Sequence, residues 1–389
     1  MNDAHIVGWA HSHFGKAAEE GLEQLIAGVV PDALSHAGVQ AESVDGVFVG
    51  VYNNGFSAQA FEGSLVGMAV PGLANTPAVH LENACATGSA ALYAAMDFIA
   101  AGRGKIALVV GAEKMSTTPT SRAGDIMLGA SYRAEEGETR GGFAGVFGQI
   151  AGAYFEQHGD HSLELAMISA KNHENGLLNP YAHLRKDLGV EFCNTVSEKN
   201  PLVAAPLRRT DCSLISDGAA AIVVAHPEVA ASLHRAIGFR ARQHANDVLA
   251  LSRRDPTEFA GARAAWAGAL KRAGVTIDDL DMVETHDCFT IAELLEYEAM
   301  GLAPRGEGGR VVRDGTTRRD GALPVNPSGG LKSRGHPLGA TGVSQHVMAA
   351  MQLAGEADTM QLPDVNLAGV FNMGGAAVTN YVSIMERIA

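Results

Sequence analysis

HLENACATGSAALYAAMDFIAAG occupies residues 80–102. The apolar run 77–81 leading into it predicts a buried strand. That run stops at Glu82-Asn83-Ala84, and Cys85 stands where a helix begins. Leu92, Ala95, Met96 and Ile99 recur at helical spacing, and Gly102 supplies a stop. A thiol in the first turn lies near the positive end of the helix dipole, which favours thiolate and a stronger nucleophile. Ala86, Thr87, Gly88, Ser89 and Ala90 leave room around it. Taken alone, Cys85 reads more readily as a buried structural thiol. Residues some two hundred positions downstream change that reading.

Around this unit the same pattern recurs. Residues 5–9, 44–51 and 105–111 are apolar, β-rich runs, and Leu22, Leu25, Ile26, Val29, Val30 and Ala33 mark a helix bent or interrupted near Pro31. Strands alternating with helices argue for a mostly parallel α/β sheet. From about 115 to 210 the pattern loosens into stretches rich in Gly, Asn, His and Pro. This reads as a long insertion, with some helix, covering the active face. Residues 211–225 return to strand–turn–strand character.

The second half repeats the first. Residues 33–39 and 44–47 align without a gap with 269–275 and 280–283. Ala86-Thr87-Gly88 opens a helix containing Ala94-Ala95-Met96, and Ala340-Thr341-Gly342 opens one containing Ala349-Ala350-Met351. Ser216-Asp217-Gly218-Ala219-Ala220 has a weaker echo in Met373-Gly374-Gly375-Ala376-Ala377. Two large copies in the same order mean duplicated domains, expected at 1–230 and 231–389, not a short-period solenoid.

Composition excludes several classes. The 389 residues are too many for one small core. A formal charge of −14 argues against a nucleic-acid partner. The four cysteines form no C-x-x-C pair, so a zinc site built on cysteine is not expected, and no metal is assigned. No stretch reaches the length and apolarity of a membrane span, and the N-terminus lacks the plan of a signal peptide. A cytoplasmic setting with reduced thiols is the expectation.

Three further stretches carry chemistry. His286, Asp287 and Cys288 stand in a row at the end of an apolar strand, just before a helix over 291–300. Strand ends next to helix starts are where α/β folds place ligand sites. NPSGGLKSRGHPLGATG, residues 326–342, sets five glycines and two prolines around His336. Its backbone can approach a ligand closely. VFNMGGAA, residues 370–377, has paired glycines whose N–H groups suit an oxyanion hole. Each signal is weak alone. Together they supply a thiol nucleophile, a base, a second thiol for proton transfer and oxyanion donors, an inventory suited to acyl transfer through a thioester.

NACATG around Cys85, SDGAAA at 216–221 and GGLKSRGHPLGATG ending at Gly342 resemble the thiolases over nearly the whole chain. HDCF at 286–289 and KNH at 171–173 look like the sterol-carrier-protein type. Most other thiolases carry a second catalytic cysteine in a C-x-G motif, where this chain has Asn372; in the sterol-carrier type Cys288 takes over that role. The resemblance implies a duplicated five-layered αβαβα fold with an inserted loop domain. It also implies reversible Claisen chemistry on coenzyme A thioesters. Cys85 would be acylated and His336 would activate it. His286 would serve the enolate oxyanion site and Cys288 would move the carbon-bound proton. The N–H groups of Cys85 and Gly374 would hold the tetrahedral intermediate.

Coenzyme A enters as co-substrate, with no permanently bound cofactor. Lys171, Arg185 and Arg209 are candidates for its phosphates. Asp287 is expected to orient backbone, outside the catalytic set. The resemblance further implies a homodimer or homotetramer paired through an N-half strand. Two other readings stay open: a thiolase-like retro-aldolase or acyltransferase acting with a small zinc OB-fold partner, and a non-catalytic acyl-CoA or lipid binder.

Overall fold

The computed structural model describes residues 4–17 and 21–388. Among them the apolar runs become eleven strands: β1 (His5–His11), β2 (Gly46–Gly50), β3 (Ala78–Leu81), β4 (Ile106–Glu113), β5 (Leu202–Ala204), β6 (Leu207–Arg208), β7 (Gly218–Ala225), β8 (Ile237–Asn246), β9 (Met282–Glu284), β10 (Leu367–Gly374) and β11 (Thr379–Arg387). Nine of these form one sheet in the order β3-β2-β4-β7-β1-β8-β11-β10-β9, and β5 pairs only with β6. The nine divide into two sets that touch at the single pair Ile6–Ile237.

The two sets share a plan. In the first, β2 runs parallel to β3 and β4, and β7 is antiparallel to β4 and β1. In the second, β9 runs parallel to β10 and bridges in parallel to Val325, and β11 is antiparallel to β10 and β8. The helices Val30–Ala37 and Ala260–Ala273 both end at a left-handed glycine, Gly38 with φ 69° and Gly274 with φ 70°. The sequence repeat is thus a structural one.

Strand faces explain why these runs are apolar throughout. Successive side chains point to opposite faces. Along β4, Ala107 and Val109 face the centre, while Leu108 and Val110 meet Ile26, Val30 and Ala33 of the outer helices Leu22–Ala27 and Val30–Ala37. In the centre, Leu92, Ala95 and Met96 of the helix Thr87–Ala100 join Val343, Val347 and Met351 of the helix Leu338–Ala354. On the far side, Ala265 and Trp266 from Ala260–Ala273 and Leu294 from Thr290–Ala299 pack on Val382 and Ile384. The order helix, sheet, helix, sheet, helix is the expected five-layered α/β fold. The two central helices cross closely: a Cβ on Gly88 would stand 2.6 Å from the Val343 backbone nitrogen.

Two local expectations differ from the structure, and a third is sharpened by it. β3 forms over 78–81, but Ala78, Val79 and His80 are exposed, because β3 is the sheet's edge strand. The helix expected to be bent or interrupted near Pro31 is interrupted, into Leu22–Ala27 and Val30–Ala37, with Pro31 in the first turn of the second, where its missing N–H costs nothing. Residues 211–217 hold no strand, since Asp217 spends its carboxylate on the backbone N–H groups of Ala17, Met115 and Ser116 and on Lys114. That carboxylate ties the exit of β4 to the entry of β7. Between them, helices such as Phe143–His158 and Ser162–Gly176 and the β5–β6 hairpin make the excursion that covers the site.

Candidate active site

Cys85 sits on a tight turn between β3 and the helix Thr87–Ala100. Ala84 before it adopts φ 51°, uncommon for a residue with a side chain, and Thr87 Oγ1 accepts from Asn83 N (2.7 Å) while donating to the Ala84 carbonyl (2.6 Å). The turn aims the sulfur into the molecule, where it is 6% exposed. His286 follows the end of β9, and His336 lies between the helices Gly330–Arg334 and Leu338–Ala354. One nitrogen from each and Cys85 Sγ all lie within 4.8 Å of one another, and the two rings meet edge-on at 5.0 Å. Cys288 and Cys85 line the same apolar pocket of about 170 Å³, with Met115, Phe143, Phe289 and Leu338 among its walls.

The protonation of His336 follows from its partners. The Thr341 hydroxyl has one hydrogen; with it on the Pro337 carbonyl (2.9 Å), Oγ1 accepts from His336 Nδ1 (2.7 Å). In that arrangement Nδ1 carries the proton. Nε2 is then bare, and it is buried and without a protein partner among the described residues, the state required of a base. Burial, and then the Arg334 guanidinium, bring His336 down to about 3, so it is neutral at rest. Burial, His336 and Arg334 hold His286 well below the usual range as well.

The sulfur differs from expectation. Helix-dipole reasoning favours thiolate, but burial and then the Glu113 carboxyl push Cys85 up to about 12, against the Gly375 N–H that bonds the sulfur. The resting group is a thiol. Gly375, one residue beyond the expected Gly374, turns its N–H to the sulfur with φ 62°, and the Cys85 N–H also faces it. Burial raises Cys288 well above its usual range, with Cys85 and Glu296 adding to it, so it too is a thiol and a proton donor. The Cys85, His286 and His336 trio also has the ligand types of zinc, but no fourth protein ligand joins it among the described residues.

Residues 4–228 match the family model described as "Thiolase, N-terminal domain", and residues 243–387 the model described as "Thiolase C-terminal domain-like". The chain belongs to the thiolase family. It is 36% identical to an acetyl-CoA acetyltransferase of Methanothermobacter thermautotrophicus, over 100% of both chains. It is 32% identical to sterol carrier protein 2 of Oryctolagus cuniculus, over 79% of this chain and 58% of that one. The solved Ltp2-ChsH2(DUF35) aldolase superposes with a TM-score of 0.82 over 99% of this chain and 98% of that one, at 19% identity, a likeness of fold.

Within this thiolase frame the phosphate candidates fare differently. Lys171 is a correction: it is buried, with its ammonium on Glu293 (2.6 Å) and the Val325 carbonyl (2.8 Å), and so is already engaged inside the protein. Arg185 and Arg209 are exposed, bound to the carbonyls of Leu177 and Lys199, and neither lines the pocket at Cys85. Asp287 accepts from Leu331 N (2.6 Å), Lys332 N (3.1 Å) and Asn172 Nδ2 (2.8 Å), and so anchors the loop that carries His336.

Two residues of this thiolase site are not found by reading the sequence. Glu113 takes the N–H groups of Tyr52, Asn53 and Gly339, and so fixes the turn before the His336-side helix. Its signal is an acid ending an apolar strand. Asn372 reads in the sequence only as a missing cysteine. No helix among the described residues is long and apolar enough to cross a membrane.

Proposed function

We propose that this thiolase-family chain catalyses reversible cleavage of 3-oxoacyl-coenzyme A by coenzyme A, through an acyl thioester on Cys85. The observation that carries this reading is the cluster that brings one nitrogen of His336 within 4.8 Å of the Cys85 sulfur, with His336 Nε2 buried and without a protein partner among the described residues. As Cys85 attacks the 3-oxo carbonyl, its proton passes to His336 Nε2. The N–H groups of Cys85 and Gly375 take the oxyanion of the tetrahedral intermediate, a contribution of ~3–4 kcal/mol per donor. The C2–C3 bond breaks and the electron pair passes to the departing thioester as an enolate. His286 donates to the enolate oxygen, and Cys288 delivers a proton to carbon. Free coenzyme A gives its thiol proton to the Cys288 thiolate and attacks the acyl-Cys85 thioester; His336 returns its proton to the departing Cys85 sulfur, and the shortened acyl-coenzyme A is released. The pantetheine arm reaches Cys85 through the apolar pocket beside Ser213, Leu214 and Ile215. The enzyme acts as a homodimer through the exposed edge of β3.

The test is intact mass after incubation with acetyl-coenzyme A. An acetyl adduct on Cys85, absent in the Cys85→Ala protein with its melting temperature kept, is expected. A folded wild-type chain that gains no adduct rejects acyl transfer and turns the reading to an aldolase or a binder.

A further inference from the structure

We infer that Asn372 is the positioning residue that makes His286 an N–H donor. Asn372 lies in β10, fully buried. Its Nδ2 donates to the Cys85 carbonyl (3.1 Å), and a peptide carbonyl only accepts, so the amide can face that way round alone. Oδ1 accepts from Ser89 Oγ (2.7 Å). The second N–H of the amide then points at His286 Nδ1, 2.9 Å away. A nitrogen that receives a hydrogen bond is bare, so the single proton of the neutral ring sits on Nε2. Gly342 lets the amide sit this close to the helix: a Cβ there would lie 2.4 Å from Oδ1.

Two histidines in one cluster are thereby given opposite tautomers. Thr341 leaves His336 with a bare Nε2, and Asn372 leaves His286 with Nε2–H. That N–H is buried and has no protein partner among the described residues. A donor without an acceptor in a closed site is satisfied when a substrate oxygen arrives, the arrangement that stabilises an enolate more than its precursor. The same amide holds the nucleophile's own carbonyl, so it also sets the spacing between sulfur and donor.

What the donor serves rests on the proposed thiolase chemistry; the tautomer does not. The direct test is the imidazole nitrogen spectrum of the full-length, ¹⁵N-histidine-labelled protein, with the His286 signals assigned by their loss in His286→Gln. Wild type is expected to carry the His286 proton on Nε2. In Asn372→Asp a carboxylate faces Nδ1, and the proton is expected to move there. C–C cleavage of a 3-oxoacyl-coenzyme A should fall about 10²–10³-fold, the loss typical of one oxyanion donor. It should fall at least about tenfold more than acetyl exchange between coenzyme A molecules, which does not pass through an enolate. A wild-type ring with its proton on Nδ1 overturns the inference, as does an Asn372→Asp variant whose His286 proton stays on Nε2. If the variant does not fold, the wild-type spectrum decides alone. A wild-type chain with Nε2–H but no acyl transfer keeps the tautomer and removes the proposed function.

Discussion

At neutral pH Cys85 keeps its proton: burial and the Glu113 carboxyl hold its thiol at about 12, while burial and Arg334 hold His336 at about 3. A preformed thiolate–imidazolium pair is thus disfavoured on both sides, and in the proposed reaction the proton moves only as the 3-oxo carbonyl is attacked. The sign is testable with iodoacetamide, reading alkylation at the Cys85 peptide. Below the thiol's pKa each pH unit multiplies thiolate about tenfold, so the rate should climb steadily from about pH 6 to about pH 9. A plateau across that range would mean an ion pair and would contradict this account. Cys288 is separable from Cys85 by its job. Cys288→Ala should slow deuterium exchange at C2 of acetyl-coenzyme A by about 10²-fold or more while Cys85 still becomes acetylated. Exchange at the wild-type rate would remove Cys288 from the mechanism.

The two central helices place these residues, and their crossing is set by glycine. Gly88→Ala would press a methyl to 2.6 Å from Val343 N and 3.0 Å from the Gly339 carbonyl, both backbone atoms with no room to yield. Overpacking of this kind costs ~1–3 kcal/mol or more and should lower the urea midpoint clearly. Gly152, inside the helix Phe143–His158, has no atom within 4 Å of its would-be Cβ, so Gly152→Ala should raise stability by up to ~1 kcal/mol and move the midpoint upward. Equal shifts in both variants would show that propensity, not the crossing, governs Gly88. At this scale the sequence is readable where one chain segment suffices. The turn at Cys85, the helix behind it and the repeat of 33–39 in 269–275, whose glycines both end helices, follow from local pattern. What escapes depends on distant segments meeting. Lys171 reads as a free cation until Glu293 is seen against it. Asn372 reads as a loss until it is seen between Cys85 and His286. Residue type alone says nothing of such partners.

Across the whole molecule one edge of the sheet stands out. β9 at one end has Val325 beside it, while β3 at the other presents an open strand edge with Val79 49% exposed. Phe61, which leads into a short turn packed against β3, is 79% exposed, and Met68 nearby in the chain is 65% exposed. An open edge flanked by apolar side chains invites another strand, and proteins rarely leave one bare. A second copy meeting β3 to β3 about a twofold axis would close both edges and bury both patches. Each chain carries −14, so the copies repel at long range and the contact must hold by apolar burial and strand pairing. The dimer should therefore tighten as salt screens that repulsion, the reverse of an ion-paired interface. Sedimentation should give wild type at twice the 40.4 kDa chain mass, with Val79→Asp and Phe61→Asp shifted to the single chain. A wild-type monomer at working concentration, or a dimer that salt pulls apart, would rule out this interface.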